Sequence, residues 1–102
     1  MAMDETILIN LAKKGDLDAF NRLVIAYQDI VFNLSYRILH NNPAAQDATQ
    51  DTFINAFKKL QTYRGGSFKA WILRIAVNKS YDELRRWKRK PEFDLYPSSA
   101  EN

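Results

Sequence analysis

The sequence has no cysteine and a single histidine, His40. The lack of thiols excludes a disulfide framework and a thiolate zinc site, and one imidazole offers little to a histidine-dependent catalytic centre. No apolar run approaches the roughly 20 residues of a membrane span. Acidic Asp4 and Glu5 stand where a signal peptide would be basic. We therefore expect a cytoplasmic protein with no membrane association, no metal and no other cofactor.

Glycine and proline are scarce, at three residues each, and they fall where helices should end. Between them, apolar residues recur at steps of three and four, which predicts helices over residues 5–14, 17–40, 43–60 and 68–90. No segment has the alternating pattern of a strand. With 102 residues, the chain is the size of one domain. The predicted fold class is all-α: a compact bundle of three main helices plus a short N-terminal helix.

Local signals set the predicted helix ends. Asp16, Asn42 and Ser67 are the expected N-caps, and Gly15 and Pro91 are expected to end helices. Residues 1–90 would form the domain, and residues 91–102 a linker or frayed tail. The side chains predicted to face inward are Ile7, Leu8, Leu11, Phe20, Leu23, Val24, Tyr27, Ile30, Val31, Leu34, Ile38, Ala45, Thr49, Phe53, Ala56, Leu60, Ile72, Ile75, Ala76 and Leu84.

Positive charge is concentrated in one segment. Residues 61–90 hold nine basic and two acidic side chains, whereas residues 1–60 hold six and seven. Five aromatic residues are interleaved with these cations: Tyr63, Phe68, Trp71, Tyr81 and Trp87. Cations mixed with rings favour a surface that holds a phosphate backbone and stacks unpaired bases. The segment is therefore predicted to bind nucleic acid.

The loop at residues 63–67 has two interpretations. A pair of glycines is common in a simple interhelical turn. The same pair would let the backbone approach a nucleotide, with Tyr63 as a stacking face, Arg64 as a phosphate or base contact, and free amides at the next helix start. Ser67 lies at that start. Phe68 is left open between a core position and a DNA contact, whereas Trp71 is predicted to be core.

The last predicted helix carries a polar outer stripe. Arg74, Asn78, Tyr81, Arg85 and Arg89 follow one another at steps of four, three, four and four. A neutral amide among cations adds little general affinity, but it can read donors and acceptors on a base edge. The alternative is that these cations only complement the helix dipole. The cations that broaden this surface are Lys79, Arg86, Lys88 and Lys90.

A second outer stripe lies on the third predicted helix. Asp47, Gln50, Asp51, Ile54 and Lys58 share one face. A stripe of this kind is often only a solvated surface. Ile54 argues against that interpretation, because one apolar anchor within a charged rim is typical of a protein docking site.

Several motifs together resemble region 2 of the extracytoplasmic-function (ECF) sigma factors, within the sigma-70 superfamily. They span residues 18–20 (DAF), 44–57 (AAQDATQDTFINAF), 63–65 (YRG) and 71–78 (WILRIAVN) in the order and spacing of that family. The resemblance covers residues 5–90. It implies a transcription initiation subunit of bacterial RNA polymerase, followed by a linker toward a region 4 domain that this sequence lacks.

The resemblance also implies roles for the two stripes and the loop. The helix at 44–60 would dock on the clamp helices of the polymerase β′ subunit, with Asp47, Gln50, Asp51 and Ile54 at matching positions. The loop and last helix would bind and help open the promoter minus-ten element. A base flipped from the non-template strand would enter a pocket at Tyr63, Arg64, Ser67 and Asn78. An anti-sigma factor is implied as a further partner.

Two alternatives to this function remain open. A sigma-like decoy would bind an anti-sigma factor without touching DNA, although such a protein would not need Asn78 or the basic, aromatic segment. A small helical enzyme is the more distant alternative, because no catalytic pair, metal cluster or nucleophile–base set stands out.

Overall fold

The computed structural model describes residues 4–88, which fold into four α-helices. Helix α1 spans Glu5–Lys13, α2 spans Leu17–Leu39, α3 spans Asn42–Lys59 and α4 spans Phe68–Lys88. A 3-10 turn at Leu60–Thr62 follows α3. No strand occurs within residues 4–88, so the predicted all-α bundle is confirmed. The predictions for Arg89, Lys90, Pro91 and the tail fall outside the described residues.

Side-chain caps begin three of the helices, as the sequence suggested, but one cap is a different residue. The Ala19 amide donates to Asp16 Oδ1 at 3.1 Å, and the Ala70 amide donates to Ser67 Oγ at 3.1 Å. At α3 the cap is Asn41, whose Oδ1 accepts from the Ala44 amide at 2.8 Å. The prediction of Asn42 was wrong by one position, because the extended backbone of Asn41 already places its side chain over the first turn.

Helices α2, α3 and α4 pack against one another, and α1 lies on α2. The core contains Leu23, Val31, Phe53, Phe68 and Ile72 among its buried members. A satellite cluster forms where the C-terminal half of α4 meets the start of α3, with Leu39, Ala44 and Ala48 buried and Leu84 and Trp87 packed against them. Most residues of the predicted inner faces of α2, α3 and α4 belong to these clusters or pack against them, Ala45 is buried outside them, and Ile30 and Thr49 are only half-buried.

The face of α1 differs from the prediction. Ile7 is 49% exposed, whereas Leu8, Ile9 and Ala12 are buried. The sequence fits two adjacent helical stripes, one through Ile7 and Leu11 and one through Ile9 and Ala12. Packing against α2 buries the stripe through Ile9 and Ala12. Leu8 belongs to both stripes and is buried as predicted.

No helix within residues 4–88 is long and apolar enough to cross a membrane.

Candidate nucleic-acid and protein interfaces

An aromatic cluster lies beneath the loop at residues 63–67, hereafter the glycine loop. Phe68 is 2% exposed, and its ring centroid lies 5.4 Å from that of Tyr63, 5.5 Å from Trp71 and 5.5 Å from Tyr27. Phe68 is therefore a core residue, and its burial contradicts a direct DNA contact. Trp71, predicted to be core, is half-buried and packs against the same cluster.

Tyr63 does not offer the free stacking face that the sequence suggested. Its side chain is 7% exposed, and its ring packs on both Phe68 and Trp71. The Tyr63 hydroxyl donates to the Gly66 carbonyl at 2.7 Å, so this tyrosine closes the loop upon itself. What Tyr63 fixes is the path of the loop backbone beneath any ligand.

The glycine loop turns through backbone that only glycine adopts readily, with φ of 99° at Gly65 and 81° at Gly66. Arg64, both glycines and Ser67 are exposed. The Ser67 hydroxyl accepts from the first turn of α4, as its cap role requires. The loop therefore presents its backbone and the Arg64 guanidinium to solvent, and the aromatic cluster packs beneath it.

A groove of about 590 Å³ separates the glycine loop from α1. On the loop side it is lined by Gln61, Tyr63, Arg64, Gly65 and Gly66, and on the α1 side by Thr6, Ile9, Asn10 and Lys13. Ser67 and Asn78, expected at the same pocket, do not line it. The α1 side was not predicted, because nothing local to residues 5–13 indicates contact with a loop some 50 residues later.

The outer stripe of α4 is exposed as predicted. Arg74, Asn78, Tyr81, Arg85 and Lys88 face solvent, and Lys79 is half-buried. The Asp82 carboxylate accepts from Arg85 and lies 4.0 Å from Lys79 Nζ, whereas Arg74 has no ion pair within residues 4–88. Arg74 and Asn78, one turn apart, are thus a cation and an amide presented together in the first half and at the middle of the helix.

Glu83, an acidic residue of this basic helix, has a structural role that the sequence did not indicate. Glu83 is 2% exposed, and its carboxylate accepts hydrogen bonds from the Arg86 guanidinium and from Trp87 Nε1. A buried carboxylate needs such partners, since an unpaired charge there would be costly. Glu83 therefore fixes Arg86 and Trp87 on the last turns of α4.

The predicted docking stripe on α3 is also at the surface. Asp47, Gln50, Ile54 and Lys58 are exposed, Ile54 by 48%, and Asp51 is half-buried. Beside this stripe lies an apolar groove of about 730 Å³ between α2 and α3. The lining includes Gln50, Ile54 and Lys58 from the stripe, and also Leu17, Phe20, Val24, Phe32, Phe53 and Phe57. Two exposed apolar residues of this groove were not predicted. Phe57 lies three residues after Ile54 on the same helix, so helical spacing could have indicated it, whereas only the packing of α2 on α3 brings Leu17 beside Ile54.

Comparison with known proteins identifies the class. The family described as Sigma-70 region 2 matches residues 23–90, about two thirds of the chain. The chain therefore belongs to the sigma-70 region 2 family.

Relatives narrow this class to the ECF group indicated by the motifs, which confirms that recognition. The chain is 38% identical over 96 residues to the RNA polymerase sigma-H factor of Pseudomonas aeruginosa, covering 92% of this chain and 50% of the relative. It is 39% identical over 88 residues to the ECF RNA polymerase sigma factor SigW of Bacillus subtilis, covering 85% and 46%. It is 36% identical over 102 residues to the ECF RNA polymerase sigma-E factor of Escherichia coli K12, covering 98% and 53%. The chain thus spans about half the length of these curated relatives.

A solved structure shares the fold. An engineered region 2 of sigmaE, whose NMR structure was determined in complex with GTAAAA, superposes with a TM-score of 0.82 at 33% identity. The match covers 90% of this chain and 99% of that domain. The four-helix arrangement described above is therefore that of a sigma region 2.

Proposed function

We propose that this chain is the part of a bacterial sigma factor that docks on core RNA polymerase and captures the non-template strand of the promoter minus-ten element. The observation that carries the proposal is the exposed pair Arg74 and Asn78 on α4, the helix that follows the glycine loop, in a fold shared with a region 2 solved with GTAAAA. Cation, amide and accessible loop backbone together suit an unpaired strand better than a duplex.

On the DNA side, the chain works by binding alone. Arg64, Arg74, Arg85 and Lys88 neutralise phosphates, and Asn78 reads a base edge. The energy of holding an extruded base offsets the few kcal/mol needed to unpair it locally. Binding the single strand therefore shifts the promoter from closed to open, and no covalent bond in the DNA breaks.

On the polymerase side, α3 is the docking helix. Ile54 provides an apolar anchor at the edge of the α2–α3 groove, and Asp47, Gln50, Asp51 and Lys58 form its polar rim. The β′ clamp helices are the proposed occupant, as the sequence resemblance implies. Polymerase then supplies most of the affinity for the promoter, since the small isolated domain makes few DNA contacts.

The test is binding of the chain to short single strands: GTAAAA and every single-base variant of it. Asn78→Ala should reduce discrimination between bases, whereas Arg74→Ala and Arg85→Ala should weaken all strands by similar factors. Asn33→Ala, at an exposed asparagine of α2, is the matched control. With about four phosphates neutralised, log affinity should fall with log salt at a slope near −3. A wild-type chain that binds every strand equally would refute the proposal.

The apolar α2–α3 groove favours one alternative, a decoy whose only partner is an anti-sigma factor. A partner of that kind would use the same exposed Ile54 and Phe57 without involving α4. The single-strand panel separates the two functions, because a decoy has no reason to prefer one hexamer over another. Regulation of a DNA-binding sigma factor by an anti-sigma factor is compatible with the main proposal and is expected to occlude this groove.

A further inference from the structure

The groove between α1 and the glycine loop has the chemistry of a nucleotide site. Its volume of about 590 Å³ lies within the range of small-molecule sites. Thr6, Asn10 and Lys13 occupy positions i, i+4 and i+7, so one polar face of α1 forms a wall of the groove. On the opposite wall, Gly65 and Gly66 have no side chains, so the loop backbone is accessible to a ligand. Within residues 4–88, the side chains of Thr6 and Asn10 make no hydrogen bond.

Two hydrogen bonds join the end of α1 to the first residue of the glycine loop and to the turn before it. Lys13 Nζ donates to the Tyr63 carbonyl at 2.6 Å, and Gln61 Nε2 donates to the Lys13 carbonyl at 2.7 Å. The Lys13 ammonium also lies 5.7 Å from the centre of the Tyr63 ring. The ammonium is therefore already engaged by the loop, and its role is to hold the loop against α1.

We propose that α1 is the second wall of the base-capture pocket, in which Asn10 contacts the edge of the extruded base and Lys13 positions the glycine loop. The inference rests on the proposed function and deepens it. Asn10 is exposed, carries both a donor and an acceptor, and lines the groove with Arg64. The ligand is a base still attached to its strand, because Arg64 at the mouth suits a backbone phosphate.

The experiment compares four variants on the panel of GTAAAA and its single-base variants. Asn10→Ala should reduce the discrimination at one position of the hexamer by about tenfold and leave the other positions unchanged. Asn21→Ala removes the same amide from an exposed position of α2 that does not line the groove, and should leave every ratio unchanged. Neither change touches the core, so both chains should fold.

Lys13→Met and Lys14→Met remove the same charge from neighbouring positions, but only Lys13 bonds the loop. Lys13→Met should weaken the preferred hexamer by about tenfold and Lys14→Met by about twofold. Lys13→Arg, which keeps a donor and a charge, should restore most of the loss. Backbone amide exchange at Tyr63, whose amide donates to the Leu60 carbonyl at 3.1 Å, should quicken in Lys13→Met alone, which a loss of general charge would not produce.

The outcomes separate this inference from the function on which it rests. If the wild type shows no preference among hexamers, both fail. If the wild type discriminates but Asn10→Ala behaves like Asn21→Ala, or Lys13→Met like Lys14→Met, only the role of α1 is overturned. Free deoxyadenosine monophosphate that competes as well as the hexamer would also overturn it, because the site would then be a mononucleotide site.

Discussion

A buried hydrogen bond joins the two longest helices of the bundle, and breaking it gives a quantitative test of the packing. Ser80 Oγ of α4 donates to Ser35 Oγ of α2 at 2.9 Å, and both side chains are fully buried. Replacing one serine by alanine leaves the other hydroxyl without its partner in the core. That loss costs about 1–3 kcal/mol.

The magnitude depends on whether the remaining hydroxyl finds a local partner. A serine inside a helix can bond back to the carbonyl four residues earlier, which favours the lower end of that range for Ser35. We expect Ser80→Ala and Ser35→Ala each to lower the free energy of unfolding by about 1–2 kcal/mol. The double variant leaves no orphaned hydroxyl, so its loss should fall short of the sum by about 1 kcal/mol.

The assay is urea denaturation of the wild type, the two single variants and the double variant. Each kcal/mol of lost unfolding free energy should also lower the thermal unfolding midpoint by about 4–8 °C for a domain of this size. Thr52→Val is the matched control, because the buried Thr52 hydroxyl donates only within its own helix, to the Ala48 carbonyl at 2.7 Å. Its effect should add to that of Ser80→Ala. Additivity of the two serine variants within about 0.3 kcal/mol would refute the reasoning.

Three further predictions concern the core, the docking surface and the N-terminal helix. Phe68→Leu should lower stability by about 1–2 kcal/mol without changing base preference in the hexamer panel; an altered preference would return Phe68 to the DNA surface. Ile54→Ser should weaken binding to the β′ clamp helices at least about tenfold, whereas Ile25→Ser, at an exposed isoleucine outside the groove, should not; equal effects would remove Ile54 as the anchor. Burial, together with the Glu5 carboxylate that accepts from its hydroxyl, raises the pKa of Tyr27 from 10.0 to about 12. This stabilisation is complete below pH 10 and is lost as the pH rises to 12, so unfolding measured across that window should show a loss on the order of 1 kcal/mol that is missing in Tyr27→Phe.

Residue types and spacings within short segments of the sequence were enough to predict the helices. Scarce glycine and proline, the caps at Asp16 and Ser67, and the apolar periodicity predicted four helices with ends within a few residues of those observed. The surface stripes through Asn78 and Ile54 were also predictable, since helical spacing alone places their members on one face. The family resemblance came from linear motifs and needed no three-dimensional information.

Tertiary packing decided what periodicity left ambiguous. Whether Ile7 or Ile9 faces inward depends on how a short helix docks, and whether Phe68 belongs to the core or the surface depends on Tyr27, Tyr63 and Trp71 closing around it.

The two grooves show the same division between sequence and packing. Propensity and spacing act over a few residues, so the sequence by itself determined the helices and their exposed stripes. The groove walls come from residues far apart in the chain, such as Lys13 against Tyr63 and Leu17 beside Ile54. These residues come together only in the arrangement in which the four amphipathic helices bury their apolar faces against one another. That arrangement is a property of the folded structure and not of any local segment.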